Sequence, residues 1–278
     1  MTERQTPAIV LTVRAYGEAD LLVTFITPEQ GRLTGIAKHG KKSRRRFAYC
    51  LEPLSRVVFY FSPRPGRDLE FLQKGELVRA YPNLRRDLPR LGAASVLAEV
   101  SGLLSGPPEA IGEIFATLEE ALNLLDQGLP PDSLLPAFLL RLLTLGGYGP
   151  RLGQCLKCGR EPAPPLWFSI PQGGILCGAC RPGAPGPLLP LNPGTWKLLR
   201  LAQEMDREKL SRLRFPKAQR DQSLAVIKTF LFHHLGRGIK SWSFWEKVAG
   251  GKGERRGTCK RPFFNLSEAK ELKFSPVY

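Results

Sequence analysis

Through about residue 80 the chain alternates apolar and polar positions with a period of two. Residues 8–16, 21–27, 32–38, 55–61 and 69–78 each fit a β-strand, parted by turn formers at Gly17, at 28–31 and at 63–66. Val57, Phe59 and Phe61 fall on one face of their strand, Val58 and Tyr60 on the other. Five strands in so short a span predict a small closed or nearly closed barrel. The OB-fold is the best-known architecture of that size.

After Tyr81-Pro82 the period becomes helical. Residues 91–104 form an apolar segment ended by Gly106-Pro107-Pro108. Residues 109–125 carry Ile111, Ile114, Phe115, Leu118 and Leu122 at spacings of three and four. Asp132-Ser133 suits the cap of a third helix that runs to about residue 145 and stops at Gly146-Gly147. Asn192-Pro193 opens another over 196–205, with proline at its first position. The last clear helix covers 219–235 and sets Leu224, Ile227, Phe230, Leu231 and Leu235 on one broad face. The predicted class is α+β: an N-terminal barrel over 1–80, then a helical domain over 81–249. Beyond residue 250 a tail rich in glycine and basic residues reads as poorly ordered.

Four cysteines interrupt the helical part: Cys155-Leu-Lys-Cys158, then Cys177-Gly-Ala-Cys180. Two C-x2-C pairs at this separation match a structural zinc site. Thiolates three residues apart on a tight turn can occupy adjacent corners of a tetrahedron, and four of them leave no open position for a catalytic water. Gly159 and Gly178 follow Cys158 and Cys177, where such a turn calls for positive φ. Between the pairs, Phe168, Ile170 and Gly173-Gly174 predict a short hairpin. Disulfides are the competing assignment. The first residues have neither the basic nor the apolar stretch of an export signal, so reduced thiols and a metal module over 151–185 are expected. With little apparent apolar surface to bury, residues 155–187 are expected to need that metal to fold. Cys50 and Cys259 read as ordinary thiols.

Charge then narrows the partner. Forty-one Lys and Arg against 25 Asp and Glu give a formal net charge of +16, which favours a polyanion. No apolar run is long enough to span a membrane; residues 134–145 come nearest and contain Pro136 and Arg141. The cations cluster. Arg32, Lys38, Lys41, Lys42, Arg44, Arg45 and Arg46 fall within 32–46 with no acid among them. Following the third strand, they predict a cationic loop at the rim of the barrel. Beside it Tyr16, Phe25, Phe47 and Tyr60 are candidates either for base stacking or for the barrel interior. The basic stretch at 252–261 would add nucleic-acid contact or only solubility.

Catalytic patterns are weak. Gly35 to Ser43 almost spells a phosphate-binding loop, but the residue after Lys41 is Lys42, and an arginine run replaces the expected apolar helix. His233 and His234 are neighbours on a helix, about 100° apart, and read as one packed and one solvated residue. Carboxylates are scattered; Asp20, Glu52, Asp68 and Glu70 are the only ones placed to meet near the barrel, and they do not assemble the converging set a two-metal nuclease needs.

Several ordered segments resemble the RecO family of bacterial recombination mediators along nearly the whole chain. They are Arg14-Ala-Tyr-Gly-Glu18-Ala-Asp20 with Phe25-Ile-Thr-Pro-Glu-Gln-Gly31-Arg32, and Ile36-Ala-Lys38-His-Gly40-Lys-Lys-Ser43-Arg44. Further on come Leu145-Gly-Gly-Tyr148-Gly-Pro150 before Cys155, then Phe168-Ser169, Gly173-Gly174, the second cysteine pair and His234 to Ser241. His39 departs from the family's Ala-Lys-Gly-x-Arg pattern. The resemblance implies an OB-fold barrel and a helical domain with an inserted zinc module. It implies a non-catalytic, cytoplasmic, nucleoid-associated protein of DNA repair that binds single- and double-stranded DNA and anneals complementary strands. With RecR it would help load RecA onto strands coated by single-strand-binding protein. Arg14, Arg32, Lys38, Lys41, Lys42, Arg44, Arg45 and Arg46 are the expected DNA contacts; Cys155, Cys158, Cys177 and Cys180 are the expected zinc ligands. The acidic tail of single-strand-binding protein would need an apolar pocket with a basic rim, sought around Phe138, Arg141 and Leu142. Two other classes compete: an OB-plus-zinc RNA-binding factor of translation or transcription, and a metal-dependent nuclease.

Overall fold

The computed structural model describes residues 4–43, 45–62, 69–104 and 106–250. Arg44, the turn at 63–66, Asp68, Cys259 and the basic tail lie outside the described residues. Five strands, β1 (Arg4–Tyr16), β2 (Asp20–Thr27), β3 (Gly31–Ala37), β4 (Arg56–Ser62) and β5 (Glu70–Arg79), close a barrel in the order β1-β2-β3-β5-β4. All neighbours are antiparallel except β3 and β5, which run parallel, and β4 returns to β1. This is the OB-like closed barrel expected. Gly17 and Gly31, at φ of 62° and 66°, make the β1-β2 and β2-β3 turns, which an L side chain would strain.

Alternation sorts the barrel's side chains. Val10, Val23, Phe25, Val57, Phe59, Phe61 and Leu72 fill the interior, with Phe25 and Phe59 ring centroids 4.9 Å apart. Val58 and Tyr60 sit on the partly exposed outer face. The middle of β1 is buried on both sides: Ala8 and Val10 point into the barrel, while Ile9 joins the helical core with Ile26 and Leu54. Arg56 ties the junction, donating from Nε to Glu119 at 2.6 Å over the ring of Phe115.

The helices are α1 (Pro82–Arg86), α2 (Leu88–Leu103), α3 (Pro108–Asp126), α4 (Pro131–Leu143), α5 (Pro193–Glu204), α6 (Lys217–Leu235) and α7 (Lys240–Gly250). α4 is the central rod, its residues 134–140 all buried. Asp132 does not cap it. Pro131 already stands at the first helical position, and Asp132 pairs instead with Arg220 of α6. Asn192 does cap α5, accepting from the Gly194 N–H at 2.8 Å. α7 lies beyond the last helix that periodicity predicts; it packs Trp245 and Val248 against Gly92 of α2 and buries Trp242 beside Lys228 of α6.

Between α4 and α5 runs a four-stranded sheet of β6 (Arg151–Cys155), β7 (Leu166–Ser169), β8 (Gly174–Cys177) and β9 (Leu188–Leu191), ordered β6-β8-β7-β9. β7 and β8 form the predicted hairpin. The expectation that this segment has little to bury is wrong. Leu166, Phe168, Ile170 and Ile175 belong to the helical core, Phe168 meets Phe230 edge-on at 5.7 Å, and the Ile170 carbonyl bonds Nε2 of His234 at 3.0 Å. His234 is thus the packed histidine and His233 the exposed one.

Candidate nucleic-acid interface and metal centre

The basic loop leaves β3 at the barrel rim. Its described cations divide into those that build the loop and those without a carboxylate partner. Lys38 bonds Asp20 at 2.6 Å, and the same carboxylate accepts the His39 N–H at 2.8 Å. These bonds, Lys38 first, hold the Asp20 carboxyl below its ordinary value. Lys41 places its ammonium on the carbonyls of Gly17 and Glu18, both at 2.9 Å. Arg46 donates to the Lys38 carbonyl at 2.6 Å and lies near the Phe47 ring, while its own carbonyl accepts from Gly75 of β5 at 2.8 Å. Lys42 and Arg45 are exposed and have no carboxylate partner among the described residues.

The two flanking arginines separate. Arg14 is exposed on the outer face, in register with Leu22 and through it with Ile36, two residues before Lys38. Arg32 stands at the opposite end of β3, about 20 Å from Lys38 at strand spacing. There it lies beside Gly102 of α2, so the structure does not gather it with the loop. Of the rings, Phe25 and Phe47 are interior, Tyr60 is half-buried beside Lys74, and Tyr16 is 52% exposed. Sequence reasoning missed Tyr49, which is 82% exposed just past the basic run at a positive φ of 58°. It sits in an irregular segment where no periodicity marks which way a side chain faces.

The acids near the barrel do not converge. Asp20 serves Lys38, Glu52 lies 3.6 Å from Arg85, and Glu70 is partly buried, which pushes its carboxyl up against the opposing charge of Arg4. Among the described residues, Phe138, Arg141 and Leu142 do not line an open pocket. Phe138 and Leu142 are fully buried because α4 is packed on all sides, and Arg141 turns to Glu113 at 3.8 Å.

The sulfurs of Cys155, Cys158, Cys177 and Cys180 all lie within 4.8 Å of one another and could hold a metal ion. The Cys155 and Cys177 sulfurs are 3.8 Å apart, far beyond a disulfide. A tetrahedron of thiolates at about 2.3 Å from a metal has an edge of about 3.8 Å, so the spacing fits. Burial pushes the Cys155 thiol up, but backbone N–H groups of Cys158, Cys177 and Lys157 outweigh it and bring the value down to about 6. Sharing a proton with Cys177 pushes Cys180 up to about 12. Gly159 takes the expected positive φ of 69°. Gly178 does not; it is needed for space, since a Cβ there would stand 2.7 Å from Pro165. Cys50 takes no part: it is buried in the barrel, which pushes its thiol up to about 11.

Two protein-family models match this chain, Recombination protein O N terminal over residues 1–81 and Recombination protein O C terminal over 85–243. Among curated relatives, the DNA repair protein RecO of Syntrophus aciditrophicus is 34% identical over 248 residues, 88% of this chain and 95% of the relative. That of Anaeromyxobacter dehalogenans strain 2CP-1 is 36% identical over 250 residues, 89% and 98% of the two chains.

Proposed function

This chain belongs to the RecO family, and from that premise we propose that it is a non-catalytic DNA-binding mediator of repair and recombination. It binds single- and double-stranded DNA without sequence preference and anneals complementary strands. With RecR, it helps load RecA onto strands coated by single-strand-binding protein, whose acidic tail it engages. Residues 1–80 are the DNA-binding unit and 81–249 the scaffold, with one structural zinc ion held by the four cysteines of the 151–185 module. Four thiolates suit zinc and leave no site for a reacting water. The setting is the cytoplasm at the nucleoid; no described helix is long and apolar enough to cross a membrane.

The observation that carries this reading is the rim of the barrel. Lys42 and Arg45 project there as exposed cations from a loop in which Lys38, Lys41 and Arg46 are engaged internally, and Arg14 is exposed on the adjoining outer face of β1. Such a surface neutralises phosphates with counterion release. Holding two strands at once offsets their repulsion and raises their local concentration.

The test is annealing of two complementary fluorescent oligonucleotides, precoated with cognate single-strand-binding protein, without ATP or magnesium. Acceleration that fades with rising salt, and that a Lys42→Ser/Arg45→Ser variant loses, is the expected result. Strong binding without acceleration would sink the annealing role. A preference for RNA of equal length would move the protein to the RNA-binding class.

A further inference from the structure

The four-cysteine module has a second face that the metal does not explain. On β7, Leu166 and Phe168 point into the helical core, so Trp167 between them points outward. Of the four tryptophans, Trp196, Trp242 and Trp245 are buried and Trp167 alone is partly exposed. Its indole lines a cleft of about 320 Å³ with Ala163, Pro164, Pro165, Ala179 and Arg181, and the Cys177-Gly178 turn borders it. The Arg181 guanidinium lies over the ring, 3.8 Å from its centroid, and has no carboxylate partner among the described residues. Two more exposed cations lie close by along the chain. Lys157 reaches the Pro182 carbonyl beside Arg181 at 3.4 Å, and Arg160 heads the segment that supplies Ala163 to Pro165. Between residues 151 and 187 the only acid is Glu161, which turns to Arg200 at 3.6 Å.

A flat aromatic face, proline walls and three cations unmatched by acid are what an unpaired nucleotide uses. Every base has a π-face to stack, and its flanking phosphates need positive charge. The cleft volume is at the low end of small-ligand sites, about 300–1,000 Å³, so it suits one base and not a folded element. An acidic peptide would satisfy the cations but leave the indole unused. We propose that the Trp167–Arg181 cleft is a second contact for single-stranded nucleic acid, seating one unpaired base on the indole and neighbouring phosphates on Arg181, Lys157 and Arg160. The base takes the place the guanidinium now occupies over the ring, and Arg181 swings to a phosphate. This rests on the nucleic-acid-binding reading above and adds a site on another part of the molecule.

The experiment is titration of the full, zinc-loaded chain with a ten-residue oligothymidylate and with an abasic oligonucleotide of equal length, following tryptophan emission and affinity. Stacking on Trp167 quenches emission with the thymidylate and not with the abasic strand. Trp167→Leu, which keeps apolar bulk, weakens thymidylate binding about fivefold or more and leaves abasic binding unchanged. Arg181→Ala weakens both. Metal content and thermal midpoint confirm that each variant is folded, and the wild-type quenching comparison needs no variant. Equal quenching by the two strands, or unchanged thymidylate affinity in Trp167→Leu, overturns the inference. The Lys42→Ser/Arg45→Ser variant separates the two sites: if it binds like wild type while Trp167→Leu does not, the barrel reading fails and the cleft stands.

Discussion

The Glu99 carboxylate on α2 closes the first turn of α7 through Ser241. One oxygen, Oε2, accepts from both the Ser241 N–H at 2.8 Å and the Ser241 hydroxyl at 2.7 Å. The other accepts from the Lys240 N–H at 2.9 Å. The cap comes from 142 residues away in sequence. It satisfies orphan donors and places negative charge at the positive end of the helix dipole.

Glu99→Ala should therefore loosen α7 specifically. A lost cap costs about 1 kcal/mol, which corresponds to a fall of about 2–4 °C in thermal midpoint for a chain of this size. Hydrogen exchange should quicken across α7 while the barrel strands keep their protection. Unaltered exchange in α7 would mean that Trp242 and Trp245 hold the helix unaided.

Gly75 lies where the barrel has no room. A Cβ there would come within 2.6 Å of the Cys50 sulfur and 3.0 Å of Phe59 Cε1. Gly75→Ala should cost about 1–3 kcal/mol by overpacking. Adding Cys50→Ala removes the closer clash and leaves the Phe59 contact, so the double variant should recover part of that loss. Denaturant unfolding of the four-member cycle measures this, and strict additivity would refute the clash as the cause.

The barrel was legible because alternation survives wherever one face is buried and the other wet, as in Val57 to Phe61. The cysteine module was legible because metal geometry demands local spacing. What escaped depends on partners distant in sequence. α7 carries Trp242 and Trp245 only three residues apart in a short, polar helix, and its cap is a glutamate on another helix. Asp132 stands one residue before Ser133 in a plausible capping position, yet Arg220, 88 residues on, claims it. In the basic run the charges were plain, but nothing local distinguishes Lys38 and Lys41, bound to the β1-β2 turn and the start of β2, from Lys42 and Arg45, which are not.

That distinction predicts opposite outcomes for charge removal within one loop. Lys42→Ser and Arg45→Ser should each reduce the salt dependence of DNA binding by about one unit of slope. Asp20→Asn should do the reverse at first: Lys38, released from its partner, becomes available to phosphate and steepens the slope by a comparable amount. The loop also loses its anchor, so exchange of the His39 amide should rise. In the wild type the same anchor is pH-dependent. The Asp20 carboxyl is held below its ordinary value of 3.8 by Lys38 and then by the His39 N–H. Its contribution is therefore complete above that ordinary value and lost as pH falls through the lowered one. An Asp20→Asn protein with an unchanged slope would show that Lys38 already reaches DNA in the wild type.

Removing the metal that the four cysteines are proposed to hold tests how the module is held. Leu166, Phe168, Ile170 and Ile175 share the helical core, so the β7-β8 hairpin has support that owes nothing to the cysteines. The two cysteine turns have less. Cys158 is exposed; beyond the Leu156 N–H bonded to the Ile175 carbonyl, the turns are held mainly by local backbone bonds such as Gly159 N–H to the Cys155 carbonyl at 2.9 Å and Arg181 N–H to the Gly178 carbonyl at 3.3 Å. Chelation, or Cys158→Ser, should leave helical circular dichroism nearly intact. Amide exchange should quicken sharply at 157–160 and 178–184 while Phe168 and Ile175 stay protected. The thermal midpoint should fall, because binding free energy held by the folded module is lost from the native state alone. Exchange rising equally across the hairpin and the cysteine turns would instead make the metal the module's sole organiser, against the packing of Phe168 on Phe230.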